Sequence, residues 1–216
     1  GLAASPVLHK RRLYIVNDNE QKSFLVALDA ETGSEIWSVK REGEKSNWST
    51  PYIWENKLRT EIITPGSRKN RAYDLDGKLL YQFGGNSSIT IATPYAKFGL
   101  LYVTSGYVGD RRKPMFAIRP GAKGDISLES DEDTNEHVAW CQRRAGPYNP
   151  STIIYGDLMY VLLDRGLAAC YEAKTGKHVY GPERVVPRGG AFTSSPWAYN
   201  GKIFFLDENG VTYVLQ

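Results

Sequence analysis

The sequence predicts an all-β fold, a β-propeller of four-stranded antiparallel blades, and three observations carry that prediction. A small or polar residue before proline recurs at Ser5–Pro6, Thr50–Pro51, Thr93–Pro94, Asn149–Pro150 and Ser195–Pro196, with proline spacings of 45, 43, 56 and 46 residues. After each proline come a polar turn and short apolar runs, with almost none of the 3.6-residue periodicity of a helix. The 216 residues include 14 Tyr and 21 Gly, a composition suited to strands and tight turns. Repeats of about 40 to 50 residues with four strands each are the sequence signature of propeller blades.

Each repeat resolves into the same elements in the same order. Proline stands at the start of the inner strand, where its missing N–H costs no ladder bond. The runs RLYIV, KLRTEII, LLYVT, DLMYVLL and KIFFL form the second strands, and FLVALD, NRAYDLD, MFAIRP, LAACYEA and VTYVL the third. In the first, second and fourth copies a glycine turn and a bulky residue follow: DAETGSEIW, DLDGKLLY and EAKTGKHVY. The blades are predicted at about 1–45, 46–88, 89–144, 145–190 and 191–216, the last without its outer strand. The third copy is the longest, with its surplus in Gly109–Lys113 and Asp125–His137.

Composition excludes several classes. With 41% hydrophobic and 24% charged residues the chain folds rather than staying disordered. No stretch approaches the roughly 18 consecutive apolar residues of a membrane helix, and no signal-peptide pattern opens the sequence. A net charge of +3 without a dense basic stripe argues against a nucleic-acid partner. Cys141 and Cys170 make neither a disulfide framework nor a metal knuckle, and spacing alone leaves open whether they pair. His9, His137 and His178 are too scattered for a metal site or an acid–base pair.

One motif is specific. The stretch ALDAETGSEIW reads A-x-D-x-x-T-G-x-x-x-W, with Ala27, Asp29, Thr32, Gly33 and Trp37 at the fixed positions. Asp29 and Thr32 can hydrogen-bond backbone in the turn, Gly33 permits a positive φ, and Trp37 has the area to pack between blades. Ala72, Asp74, Gly77 and Tyr81 echo it one residue shorter, while Cys170, Glu172, Thr175, Gly176 and Tyr180 repeat it in the fourth copy. The pattern resembles the tryptophan-docking motif of the PQQ-like (quinoprotein-type) propeller repeat family. AIRPGAKGDI and DENGVTYVL look like secreted PQQ-binding-like repeat proteins, an architecture similar to that of BamB-like lipoproteins and quinoprotein alcohol dehydrogenases. The resemblance implies a seven- or eight-bladed ring, of which about four and a half blades are present, and a periplasmic or secreted location.

The same resemblance frames the chemistry. A PQQ- and calcium-dependent dehydrogenase of that family needs calcium ligands, a carboxylate base and an adjacent cysteine pair. Cys141 and Cys170 are not adjacent, no carboxylate matches the ligands, and no C-x-x-C-H haem motif occurs. Asp131-x-Asp133-x-Asn135 copies the start of a calcium loop, but Glu136 and Gln142 stand where glycine and a bidentate glutamate belong. It therefore reads as a solvated acidic insertion. No catalytic residue, metal or cofactor is expected, and PQQ with calcium enters only in the alternative reading as an alcohol or sugar dehydrogenase.

Binding is the main expectation. The segments leading into the inner strands should ring one mouth of the central channel: Ser46–Trp48, Asn86–Ser88, Tyr148–Asn149 and Arg188–Phe192. Asn47, Trp48, Asn86, Tyr148, Asn149, Arg188 and Phe192 are the candidate ligand residues, since amide, guanidinium and aromatic groups on loops suit a protein, glycan or small polar ligand. Basic clusters stand at His9–Arg12, Arg68–Arg71 and Arg111–Lys113. The latter two sit in loops of one type and can share a rim that would attract an acidic partner or a phosphate, but with so small a net charge they read first as ordinary charged loop tips balanced by nearby acids. The expected function is a binding or scaffold module without chemistry of its own.

Overall fold

The computed structural model describes residues 4–186 and 190–216. Among them there is no helix, and so none long and apolar enough to cross a membrane. The first sheet runs β1 (Val7–His9), β2 (Arg12–Asn17), β3 (Phe24–Asp29) and β4 (Glu35–Lys40), each strand antiparallel to the last. The second holds β5 (Tyr52–Glu55), β6 (Thr60–Thr64), β7 (Asn70–Tyr73) and β8 (Leu79–Phe83). The third holds β9 (Tyr95–Lys97), β10 (Leu100–Thr104), β11 (Met115–Ile118) and, after the short β12 (Gly124–Asp125), β13 (Val138–Gln142). The fourth holds β14 (Ile153–Tyr155), β15 (Leu158–Leu163), β16 (Leu167–Glu172) and β17 (His178–Arg184). The fifth has three strands, β18 (Trp197–Tyr199), β19 (Lys202–Leu206) and β20 (Thr212–Leu215). This is a partial β-propeller of antiparallel blades.

Four of the prolines directly precede an inner strand, and the neighbouring hydroxyls have a structural use. The Ser5 amide donates to Thr50 Oγ1 (3.2 Å), that of Thr93 to Ser151 Oγ (3.0 Å), and that of Ser151 to Ser195 Oγ (2.9 Å). Each bond joins the start of one blade to the start of another, satisfying amides that no ladder reaches. The first hairpin turns through Lys10 and Arg11, both at positive φ (45° and 67°), the geometry that matches strand twist.

The core lies between blades rather than inside them. Tyr14, Leu25 and Ala27 of the first sheet meet Ile62 and Tyr73 of the second. Ile63, Tyr81 and Phe83 of the second meet Leu101, Phe116 and Ile118 of the third. Tyr102, Met115 and Trp140 meet Met159, Val161 and Tyr171 of the fourth, and Leu162 and Ala168 meet Ile203 and Phe205 of the fifth. Middle strands are thus apolar on both faces, as β11 shows with four buried residues in a row.

The surplus of the third repeat is spent on the second. Strand β12 leaves its own sheet and pairs in parallel with β8, Gly124 opposite Tyr81 and Asp125 opposite Gln82. The second sheet therefore has five strands, and its outer edge is covered.

Candidate functional site

One aromatic from each of the four outer strands stands in a shared register. Trp37 pairs with Ala27, Tyr81 with Ala72, Trp140 with Ala117 and Tyr180 with Cys170. Trp140 escaped the sequence reading because the insertion stretches the interval from Ala117. The signal was there in the aromatic that follows the last apolar run of that repeat.

Two of these indoles reach into the next blade. Trp37 Nε1 donates to Leu75 O (3.0 Å), and a Cβ on Gly77 would come within 3.0 Å of its ring. Trp140 Nε1 donates to Ala173 O (3.0 Å), and a Cβ on Gly176 would come within 2.6 Å. The turns that present these glycines are held by their own side chains. Asp74 Oδ1 accepts from the amides of Asp76 and Lys78, and Thr175 Oγ1 donates to Glu172 Oε2 (2.7 Å). In the first blade Asp29 Oδ1 accepts from the amides of Glu31 and Thr32 and from the Thr32 hydroxyl, which hold its carboxyl below the usual range. Gly33 has φ 72°, yet a Cβ added there would meet nothing within 4 Å. Tyr81 is fully buried beneath the insertion, and Tyr180 is half-buried.

On the rim, loops between second and third strands hold the segments that lead into inner strands. Arg41 is buried and forks onto Asp18, Nε to Oδ1 and Nη2 to Oδ2, both at 2.8 Å. Burial opposes its charge, and the Asp18 carboxylate outweighs that, raising the guanidinium pKa further. Asn47 Nδ2 donates to Asp18 Oδ2 (2.7 Å) and Pro65 O (3.1 Å), and its Oδ1 accepts from the Ser49 amide. Glu44 is likewise buried, accepting from Arg71 Nη1 and the Arg68 amide. Asp110 accepts from Ser87 Oγ (2.7 Å) and the Ser88 amide (2.5 Å). Asp164 sits under the Tyr148 and Asn149 amides, and burial pushes its carboxyl up.

The predicted ligand residues therefore divide. Trp48, Tyr148 and Asn149 come together with Ile89 and Ile91 around a cavity of about 360 Å³. Tyr148 is fixed there by an edge contact with Tyr107, ring centroids 5.2 Å apart. Asn47 is buried with its amide consumed, and Phe192 is buried against Tyr213 within the last interblade core. Asn86 exchanges hydrogen bonds with Asn70 and donates to Gly66 O (2.7 Å), at the edge of a different cleft. Arg188 lies outside the described residues. A cavity of about 610 Å³ between Asn19–Ser23 and Lys40–Lys45 holds none of them.

The other candidates have local partners. Asp133 pairs with Arg143 Nε (2.8 Å), and Asn135 Oδ1 accepts from the His137 and Val138 amides. Among the described residues no three His, Cys, Asp or Glu converge as a metal site would require. Cys141 and Cys170 are free and buried; burial pushes the Cys141 thiol up to about 12 and also raises that of Cys170.

A family model described as outer membrane protein assembly factor BamB matches residues 1–216. BamB from Moraxella catarrhalis superposes with a TM-score of 0.64 at 15% identity, covering 99% of this chain and 58% of that one. The quinohemoprotein alcohol dehydrogenase from Comamonas testosteroni gives 0.68 at 14% identity, covering 100% and 41%. Its counterpart ADHIIG from Pseudomonas putida HK5 gives 0.67 at 13%, covering 100% and 40%. At such identities these likenesses concern the fold alone, and the chain spans less than two thirds of each. No curated protein sequence matches.

Proposed function

The chain belongs to the family described as outer membrane protein assembly factor BamB, and from that premise we propose that it is a non-catalytic, extracytoplasmic propeller module that binds another protein. The observation that carries this reading is the cavity at Trp48, Ile89, Ile91, Tyr148 and Asn149. It gathers the lead-in segments of three successive blades, and it offers aromatic and branched apolar area with one amide. Rigid aromatics beside an adaptable polar group suit a protein side chain. The aromatics reaching across Gly77 and Gly176 support a docking role for Trp37 and, beyond the motif, Trp140, which would hold that platform rigid.

The alternative, a PQQ- and calcium-dependent dehydrogenase, rests on the fold shared with the alcohol dehydrogenases. The residues of this cavity do not fit that group, since none of those lining it carries a carboxylate for a hard cation. The test uses the full-length protein in its own cells. Trp48→Ala combined with Tyr148→Ala should lower the amount of assembled outer-membrane β-barrel protein several-fold while the variant stays folded by circular dichroism. Unchanged assembly would count against the cavity. Dye reduction with an alcohol or sugar after loading with PQQ and Ca²⁺ would establish the dehydrogenase instead.

A further inference from the structure

The two basic clusters of the second-to-third-strand loops meet in space. Arg68, Arg111, Arg112 and Lys45 line a cleft of about 430 Å³. Arg111 and Arg112 also line an adjoining cavity of about 530 Å³, together with Arg143 and Arg144. Because Arg111 and Arg112 line both, the two clefts are neighbours across one arginine pair, and together they make up the groove between the second and third blades. Its floor at the second cavity is apolar, with Phe116, Leu128 and Cys141. Gly84 and Gly85 have no side chains to screen it, and a Cβ on Gly85 would touch the Phe116 ring at 3.5 Å.

The arginines are built in, and among the described residues four of them have no ion-pair partner. Lys113 bridges Arg144 in parallel register, and the Lys113 amide donates to Arg143 O (2.9 Å), tying both arginine pairs to one rim. A Cβ on Gly106 would lie 2.1 Å from Gly146 O, so this loop is pressed onto the next segment with no slack. The acid of the groove lining, Asp110, is held by hydrogen bonds from Ser87 and Ser88, which keep it charged, so it offsets part of the arginine charge without pairing with any of the four. Arg143 is taken by Asp133 and Lys69 by Asp125. Among the described residues no carboxylate pairs with exposed Arg68, Arg111, Arg112 or Arg144.

We propose that this groove docks an extended acidic peptide segment of a partner protein, its carboxylates on Arg68, Arg111, Arg112 and Arg144 and one apolar side chain over Phe116 and Leu128. Arginine forks suit carboxylates bidentately, and an apolar floor between them suits a side chain rather than a sugar-phosphate backbone. The proposal rests on the protein-binding reading above and gives that partner its chemistry.

The test is fluorescence anisotropy on the full-length protein with a short labelled peptide of glutamates around a central leucine. Three further probes are its lysine isomer, its glycine-centred analogue and a single-stranded oligonucleotide. The glutamate–leucine peptide should bind best and lose affinity with added salt. Arg111→Glu with Arg112→Glu should weaken it at least about tenfold, while Arg11→Glu, at a distant turn, leaves it unchanged. If charge reversal perturbs the fold, Arg111→Gln with Arg112→Gln should still weaken binding. Equal binding of the lysine isomer, indifference to the arginine variants, or tighter binding of the oligonucleotide overturns the proposal. Trp48→Ala with Tyr148→Ala, measured in parallel for β-barrel assembly, separates failure of the groove from failure of the protein-binding reading.

Discussion

The first interblade junction and the second treat rim arginines in opposite ways. Between the first and second blades, Arg41 is buried against Asp18 and Thr64, and Arg71 reaches buried Glu44 at 2.5 Å. Between the second and third, Arg111, Arg112 and Arg144 face solvent around an open groove. The outer edges differ too: Trp37 spans the first junction, whereas Tyr81 is sunk in the second and β12 closes the edge. One blade plan thus gives a junction whose charges are consumed internally and another whose charges remain available. The first should answer mutation with lost stability, the second with lost binding.

The largest effect should come from Arg41→Ala, which leaves Asp18 buried without its cation. A cost of about 3–5 kcal/mol in chemical denaturation is expected. Arg41→Met with Asp18→Leu should recover much of it, because no charge then remains buried without a counter-ion. If Arg41→Ala costs no more than Arg111→Ala, the contrast between the junctions is broken.

Trp37→Ala comes next, at about 3 kcal/mol for loss of an interblade aromatic and its bond to Leu75 O. A loss below about 1 kcal/mol would mean that the ring locks nothing. Gly176→Ala sharpens the same point elsewhere. It adds a Cβ where Trp140 leaves no room and where φ is 72°, so it should destabilise by about 1–3 kcal/mol. Gly33→Ala meets the same φ of 72° with no neighbour and should cost less.

The proline phrases and apolar runs made the blades legible because strand alternation and turn chemistry are local. What stayed hidden was set by distance in space. Trp140 was masked by an insertion whose purpose, pairing with β8, belongs to the preceding blade. Asn47 and Asn86 read as ligand donors because an amide on a loop looks the same whether free or consumed. Here Asp18 and Pro65 take the first, and Asn70 and Gly66 the second. Asp18, Asp110 and Asp164, which hold these segments, carry no motif at all. Trp48, Tyr148 and Asn149 of the predicted group share a cavity, where the two rings stay out of that polar network.

The smallest expected effect concerns a rim carboxylate outside both junctions. Asp18 is answered by a guanidinium, whereas Asp164 Oδ1 has no hydrogen-bond partner and burial raises its pKa against the Asn149 and Tyr148 amides. A carboxyl with a raised folded pKa binds its proton more tightly in the folded chain than in the unfolded one. It therefore contributes stability below the unfolded aspartate pKa and loses that contribution as pH rises through the folded pKa. Asp164→Asn removes this titration. The stability of the unmodified protein relative to the variant should fall as pH rises from acid through that window, then level off. Denaturation midpoints across the window measure it, and parallel curves would show that Asp164 is solvated like any surface carboxylate.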